Sequence, residues 1–287
     1  MSAGPFTNTT LNATIPEIWD LRLDQARYEA SVIMQRVLNK SELVKKYGDI
    51  INLTYKDKLT VVNISPTDGT FAVQNYAPTN VPVTIDQWKG TPIEVVDKAQ
   101  YQSFWDPKSD LPADAGKALA ETVDTALGAL YSNLTSNIIG SSSAPTPFDD
   151  VSLLGAMLKL RNRSIPLDDL SFFLPPIAMY GGILTKPEFR DAEKTGLPKS
   201  VLTTNYRGNL LGVPAYESTL LATVDSARAG LLLHKSAFAI GMQKNNEYRV
   251  ADGVAAGKMS HIAIVASLYG LRVFREDHGC LIYVRAS

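Results

Sequence analysis

The chain has 287 residues, 45% of them hydrophobic and 20% charged, with 28 Lys and Arg against 29 Asp and Glu. That composition excludes disordered and fibrous classes and leaves a globular protein long enough to bury a core unaided. A net charge of −1 lacks the basic footprint of a dedicated nucleic-acid binder, and the single cysteine, Cys280, excludes an internal disulfide and the Cys-rich zinc modules.

Residues 1–14 are polar and rich in Asn and Thr, and read as an arm. They lack a basic segment followed by an apolar run, so no signal peptide is expected, and no later stretch reaches the ~20 apolar residues of a bilayer span. The expected setting is a reducing cytoplasm, with no membrane. Thr14 and Glu17 have the spacing of a capping box, with Pro16 in the first turn. Ile15, Trp19, Leu23, Ala26, Ala30, Ile33, Val37 and Leu38 follow at helical spacing, and Gly48 is the expected terminator.

From Asp49 to about Gln102 the pattern turns to short β-rich runs: Ile50–Leu53, Leu59–Ile64, Phe71–Val73, Val81–Ile85 and Thr91–Val96. Pro66-Thr67-Asp68-Gly69 is a turn between two of them. The stretch reads as one long twisted hairpin or small sheet with little core of its own.

The strongest helix spans Asp110 to Ile138, where Leu119, Val123, Leu127, Leu130, Leu134 and Ile138 recur every three or four residues. Asp110 or Asp114 is the expected cap. After the break Gly140–Pro145, a further helix begins near Asp149 and Asp150. It carries Val151, Leu154, Met157 and Leu158, and ends before Ile165-Pro166. Leu170–Leu174 reads as a buried strand and Ile177–Leu184 as a short helix. Residues 185–207 read as a loop. Leu210–Ser218 reads as a turn into a strand, Gly230–Leu233 as a strand, and Lys235–Ile240 as a helical turn or two. Leu268–Phe274 and Cys280–Val284 read as a hairpin joined through Glu276–Gly279.

Catalysis needs converging groups, and few are visible. His234, His261 and His278 share no helical turn, so no metal-binding pair is spaced for a common face. There is no nucleophile elbow, no phosphate-binding loop and no dinucleotide fingerprint. Asp149-Asp150 falls where a helix cap belongs and Asp168-Asp169 in a turn, so both pairs read as structural. Cys280 reads as a small buried hydrophobe. No catalytic residue, cofactor site or metal site is assigned, and the chain is not expected to be an enzyme.

Several passages taken in order carry a resemblance. Thr14-Ile15-Pro16-Glu17-Ile18-Trp19-Asp20, Gly48-Asp49-Ile50-Ile51, the helix from Asp110, Leu160–Pro166 followed by Leu170–Pro175, Gly208–Ser218, Leu231–Phe238 and Leu268–Val273 resemble, collinearly, the major capsid proteins of tailed bacteriophages, with the Hong Kong-type capsid fold. The resemblance implies an α+β chain with an N-terminal arm (1–48), an extended β-hairpin loop (49–102), a peripheral domain with a long spine helix (103–164 and 256–287) and an axial domain (165–255). It implies a structural protein of the virion, assembled in the host cytoplasm as hexamers and pentamers into an icosahedral shell around double-stranded DNA. Its partners would be other copies of itself, with scaffolding, portal and decoration proteins as further candidates. DNA would be held by containment, which a near-neutral chain suits, because neutralising one charge per ~1.7 Å of duplex would need a basic lining. Some members weld subunits through a Lys–Asn bond. Lys56 and Lys58 are the loop lysines this offers, with no matched acceptor Asn or catalytic carboxylate. An encapsulin-type shell protein of the same fold and a tail-tube or other phage structural protein are the alternatives, with an enzyme of unrecognised class as the third.

Overall fold

The computed structural model describes residues 28, 29, 31–45, 47–56, 58–74, 76–98, 107–145, 147–182, 185, 206–252 and 257–285. In chain order the strands are β1 (Leu38–Asn39), β2 (Ile50–Tyr55), β3 (Thr79–Thr84) and β4 (Gln87–Val96). Helix α1 (Pro107–Ala129), β5 (Ile138–Ile139), α2 (Asp150–Asn162), β6 (Leu170–Leu174) and α3 (Pro176–Tyr180) follow. Then come β7 (Tyr206–Leu210), β8 (Val213–Glu217), β9 (Thr223–Val224), β10 (Ala227–His234), β11 (Phe238–Asp252), β12 (Ser260–Val273) and β13 (Gly279–Arg285). The class is α+β.

One mixed sheet runs β5-β13-β10-β6-β8-β7, with β9 paired to β10. Both of its faces are covered, which is why β6 is buried at every position and reads as a continuous apolar run. Leu170, Phe172 and Leu174 of β6, Leu232 of β10, and Cys280, Ile282 and Val284 of β13 point to one core, shared with Leu153, Ala156 and Leu160 of α2. Phe173, Leu231, Leu233 and Leu281 point to the other, shared with Val123 and Leu127 of α1. Period-two alternation thus divides a single sheet between two cores.

A second sheet runs β1-β11-β12-β4, and β2 and β3 form an antiparallel pair of their own. That pair lies across β11 and β12 where Gly241 and Gly270 face each other. A Cβ on Gly270 would stand 2.0 Å from the Thr84 carbonyl oxygen, and one on Gly241 would stand 2.4 Å from Ile51 Cδ1. Only glycine admits so close an approach, and the two together cut a notch that seats the hairpin's root.

The structure corrects several expectations. The N-terminal helix from Thr14 falls partly outside the described residues, but from Ser31 onward the chain is not α-helical. It forms a 3-10 turn at Met34–Arg36, then β1, then a 3-10 turn at Ser41–Leu43. The buried Asp124 carboxylate takes the backbone N–H groups of Val32, Ile33 and Met34, and Leu38-Asn39 pairs in parallel with β11. Both uses compete with helix. Ile33 and Val37 are nevertheless buried.

Helix α1 starts at Pro107, ahead of the expected caps Asp110 and Asp114, and ends at Ala129 in a 3-10 turn, Leu130–Asn133, so Ile138 is not part of it. Beyond that turn, Glu276 gathers the backbone N–H and hydroxyl of both Thr135 and Ser136, and Ile138-Ile139 joins β13. The Lys235–Ile240 stretch is no helix. Lys235–Ala237 make a turn and Phe238–Ile240 open β11, fully buried. β12 and β13 are no hairpin. They enter different sheets through a 3-10 turn at Glu276–His278, because β13 is apolar on both faces and needs the two-sided burial of the larger sheet. β4 pairs with β12, so the 49–102 stretch is not one hairpin or sheet.

Candidate functional site

Between β2 and β3 the chain leaves the body. The strands expected at Leu59–Ile64 and Phe71–Val73 are absent. Their two limbs face each other through the Ser65 N–H donating to the Thr70 carbonyl at 2.9 Å, and through Gln74, whose side-chain amide bonds both backbone groups of Thr60. The turn between them is present, closed by the Gly69 N–H on the Ser65 carbonyl at 2.9 Å, with Gly69 in the left-handed region at φ +65°. No residue of the limbs is fully buried within the subunit, and only Val62 and Ser65 are half-buried, so little selects a ladder. Leu59, Val61, Ile64, Phe71 and Val73 are all exposed, Val61 at 95%. Five large apolar groups in water on one excursion are the mark of a contact surface completed by something else.

A second apolar surface lies on α2. Met157 is buried, with Leu153, Ala156 and Leu160, while Val151 (76% exposed), Leu154 and Leu158 form an outward stripe at helical spacing. The Asp149 side chain caps this helix, accepting the Ser152 N–H at 2.9 Å. A third surface is a hollow of about 560 Å³ on the β4-β12-β11 face, where Trp88 stands 78% exposed beside Gly90, Pro92, Ile264 and Ala266. Its rim carries Lys244 and Arg249, both paired to Glu247. The α2 stripe and the hollow were not foreseen. Their signal was α2 being apolar nearly all round and an exposed tryptophan in a strand whose other face is only half buried.

Of the residues the sequence singled out, the structure brings His234 and His278 together, ring centroids 5.3 Å apart, with the Ser236 hydroxyl between them. Burial lowers both imidazoles below the ordinary histidine range. His261 stands apart on β12, 3.6 Å from Asp97. Asp169 sits in its turn with φ +60°, its carbonyl taking the Lys235 N–H. Cys280 is buried, and desolvation pushes its thiol up to about 12. Lys56 and Lys58 are exposed at the foot of the excursion, Lys56 Nζ lying 5.9 Å from the Tyr76 ring centroid. Among the described residues no three His, Cys, Asp or Glu side chains gather as a metal site would require, and no helix is long and apolar enough to cross a membrane.

No family model and no curated protein matches the sequence. Solved structures do match in fold. A chain of Mycobacterium phage Che8 aligns over 93% of this chain and 96% of its own, at 21% identity and a TM-score of 0.74. The capsid structure of cyanophage P-SCSP1u aligns over 98% and 96% at 14% identity and a TM-score of 0.72. The capsid asymmetric unit of cyanophage Pam1 aligns over 100% and 99% at 10% identity and a TM-score of 0.74. The chain has the fold of a phage capsid subunit. Among the described residues, the excursion, the α2 stripe and the Trp88 hollow are three places where this capsid fold leaves apolar surface uncovered.

Proposed function

We propose that this chain is the major capsid protein of a tailed bacteriophage. It self-assembles as hexamers and pentamers into an icosahedral shell that encloses double-stranded DNA, and it catalyses no turnover. The observation that carries this reading is the fold likeness to capsid chains over nearly the whole length of both partners. The bare apolar excursion supports it, since such a surface suits a chain whose neighbours are copies of itself. In this reading residues 1–48 are the arm, 49–102 the extended loop, 103–164 and 256–287 the peripheral domain, and 165–255 the axial domain. Scaffolding, portal and decoration proteins would be further partners in the host cytoplasm.

Negative-stain microscopy of the expressed full-length chain tests the proposal. Closed shells of uniform diameter are the expected result. Open tubes would reassign the chain to a tail, and shells filled with host protein would reassign it to an encapsulin-type container. Soluble single subunits under every assembly condition would overturn all three readings.

A further inference from the structure

Four side chains join the turn after β10 to the turn before β13. Arg275 Nη1 lies 3.0 Å from His278 Nε2, His278 Nδ1 lies 2.7 Å from Ser236 Oγ, and Ser236 Oγ lies 2.7 Å from His234 Nδ1. Hydrogen-bond roles follow from the first of these. A guanidinium only donates, so His278 Nε2 accepts and its proton sits on Nδ1. That N–H donates to the Ser236 oxygen. The Ser236 hydroxyl then donates to His234 Nδ1, which also accepts the Ser236 backbone N–H at 3.2 Å. Every position in the relay is assigned, and both imidazoles are neutral in it.

The guanidinium also faces the excursion. Arg275 Nη2 donates to the Lys56 carbonyl at 3.0 Å, and its Cζ stands 4.4 Å from the Tyr55 ring centroid. Tyr55 ends β2 and packs edge-on against Phe274 at 5.6 Å. Arg275 thus holds the point where the chain leaves the body, and the histidine relay holds Arg275.

We propose that this relay is a proton-sensitive latch: protonation of His278 releases Arg275 from the root of the excursion and frees β2 and the loop beyond it to move. A proton on Nε2 would set a donor against a donor and a cation against a cation at 3.0 Å. The displaced guanidinium would give up Lys56 and Tyr55 together. A second arrangement waits for the imidazolium, because the Asp277 carboxylate stands 3.8 Å from the same Nε2. The other charges facing the pair are Asp169, which favours a cationic His234, and Lys235 and Arg275, which oppose it. Glu276 is turned away, bound to Thr135 and Ser136. Burial lowers the His278 imidazole and keeps the relay neutral at pH 7, so release belongs to solution more acid than the ordinary histidine range.

Amide hydrogen exchange over Ile50–Lys56 of the full-length chain, corrected for intrinsic pH dependence, reads the latch. Protection is expected to fall about tenfold or more between pH 7.5 and a pH one unit below the His278 midpoint measured by NMR, as for a local opening. His278→Gln keeps an acceptor for Arg275 but cannot gain a proton, and should hold its protection across that range. Arg275→Gln should be poorly protected at both pH values, and His261→Gln should behave as the native chain. Native-like protection in Arg275→Gln, or an undiminished acid loss in His278→Gln, would overturn the proposal. Should His278→Gln fail to fold, NMR titration of the native chain decides. The Tyr55 ring resonances must shift with the midpoint of the His278 ring protons, and a Tyr55 midpoint that differs from that of His278, or no shift, would reject the latch.

Discussion

The Asp124 carboxylate accepts the backbone N–H of Val32 at 2.6 Å, across 92 positions of sequence. Ile33 and Met34 donate to the same group at 3.1 and 2.9 Å, and the Ser31 hydroxyl at 3.0 Å. One buried side chain on α1 therefore closes a whole turn of the incoming arm. Asp124→Ala should cost about 2–4 kcal/mol, since each buried N–H left without a partner costs roughly 1–3 kcal/mol. Urea unfolding measures this, and residues 31–37 should become the first site of proteolytic cutting. Burial also raises the Asp124 pKa. Its linked stability is thus full below the ordinary carboxylate range and is lost as pH rises through the folded pKa. Asp124→Asn should remove that slope.

Leu127 is 0% exposed and packs in one cluster with Ile33, Val123, Leu134 and Phe238. Leu127→Ala should destabilise the subunit by about 2–5 kcal/mol through lost burial and the cavity left behind. An unchanged urea midpoint would contradict the packing described.

Glu276 holds the end of the α1 region through four donors, at 2.6 to 3.0 Å, from Thr135 and Ser136. Those bonds keep its carboxyl below the ordinary range. The stability it contributes is present above its unfolded pKa and is lost as pH falls through the lower, folded one. Glu276→Gln should therefore lower the melting temperature at pH 7 and leave it little changed well below pH 4. The loss at pH 7 should be about 1 kcal/mol, reduced by the group's exposure.

Replacing Leu59–Val73 with an Asn-Gly turn removes no residue that is fully buried in its own subunit. The shortened chain should keep its circular dichroism and unfolding midpoint within about 0.5 kcal/mol, as for changes outside the core. In the capsid reading it should fail to close stable shells. Normal shells from the shortened chain would mean the excursion is dispensable to assembly.

Much of this fold was legible because two-sided burial writes itself as unbroken apolar runs, as at Leu170–Leu174 and Gly230–Leu233, and because the Leu119, Val123 and Leu127 spacing admits only a helix. What escaped was set by distant partners. Ile33, Val37 and Leu38 keep helical spacing, yet their backbone is claimed by Asp124 and β11. Leu268–Phe274 and Cys280–Val284 look like hairpin arms, and nothing local reveals that they belong to different sheets. Leu59–Ile64 has strand composition without a partner to pair with. The contact surfaces were half visible, since the excursion was bounded by turns. The outward stripe of α2 was hidden because Val151, Leu154 and Leu158 repeat at the same interval as the buried residues beside them. The histidines look unrelated in sequence because 44 residues part His234 from His278, and only the meeting of two turns joins them.

The order in which the larger sheet is strung has a consequence for how the protein is made. β13 follows every other strand of that sheet in the chain, yet lies inside it, between β5 and β10. Until it leaves the ribosome, Leu231 and Leu232 lack their neighbours Leu281 and Cys280, and both cores stand open along one strand. The subunit cannot close progressively from its N-terminus. It must wait, then fold through pairings of long sequence separation, which are slow. The same delay leaves an unpaired β10 edge exposed to aggregation, so yield should depend on how fast the final strand arrives and on what shields the sheet until then.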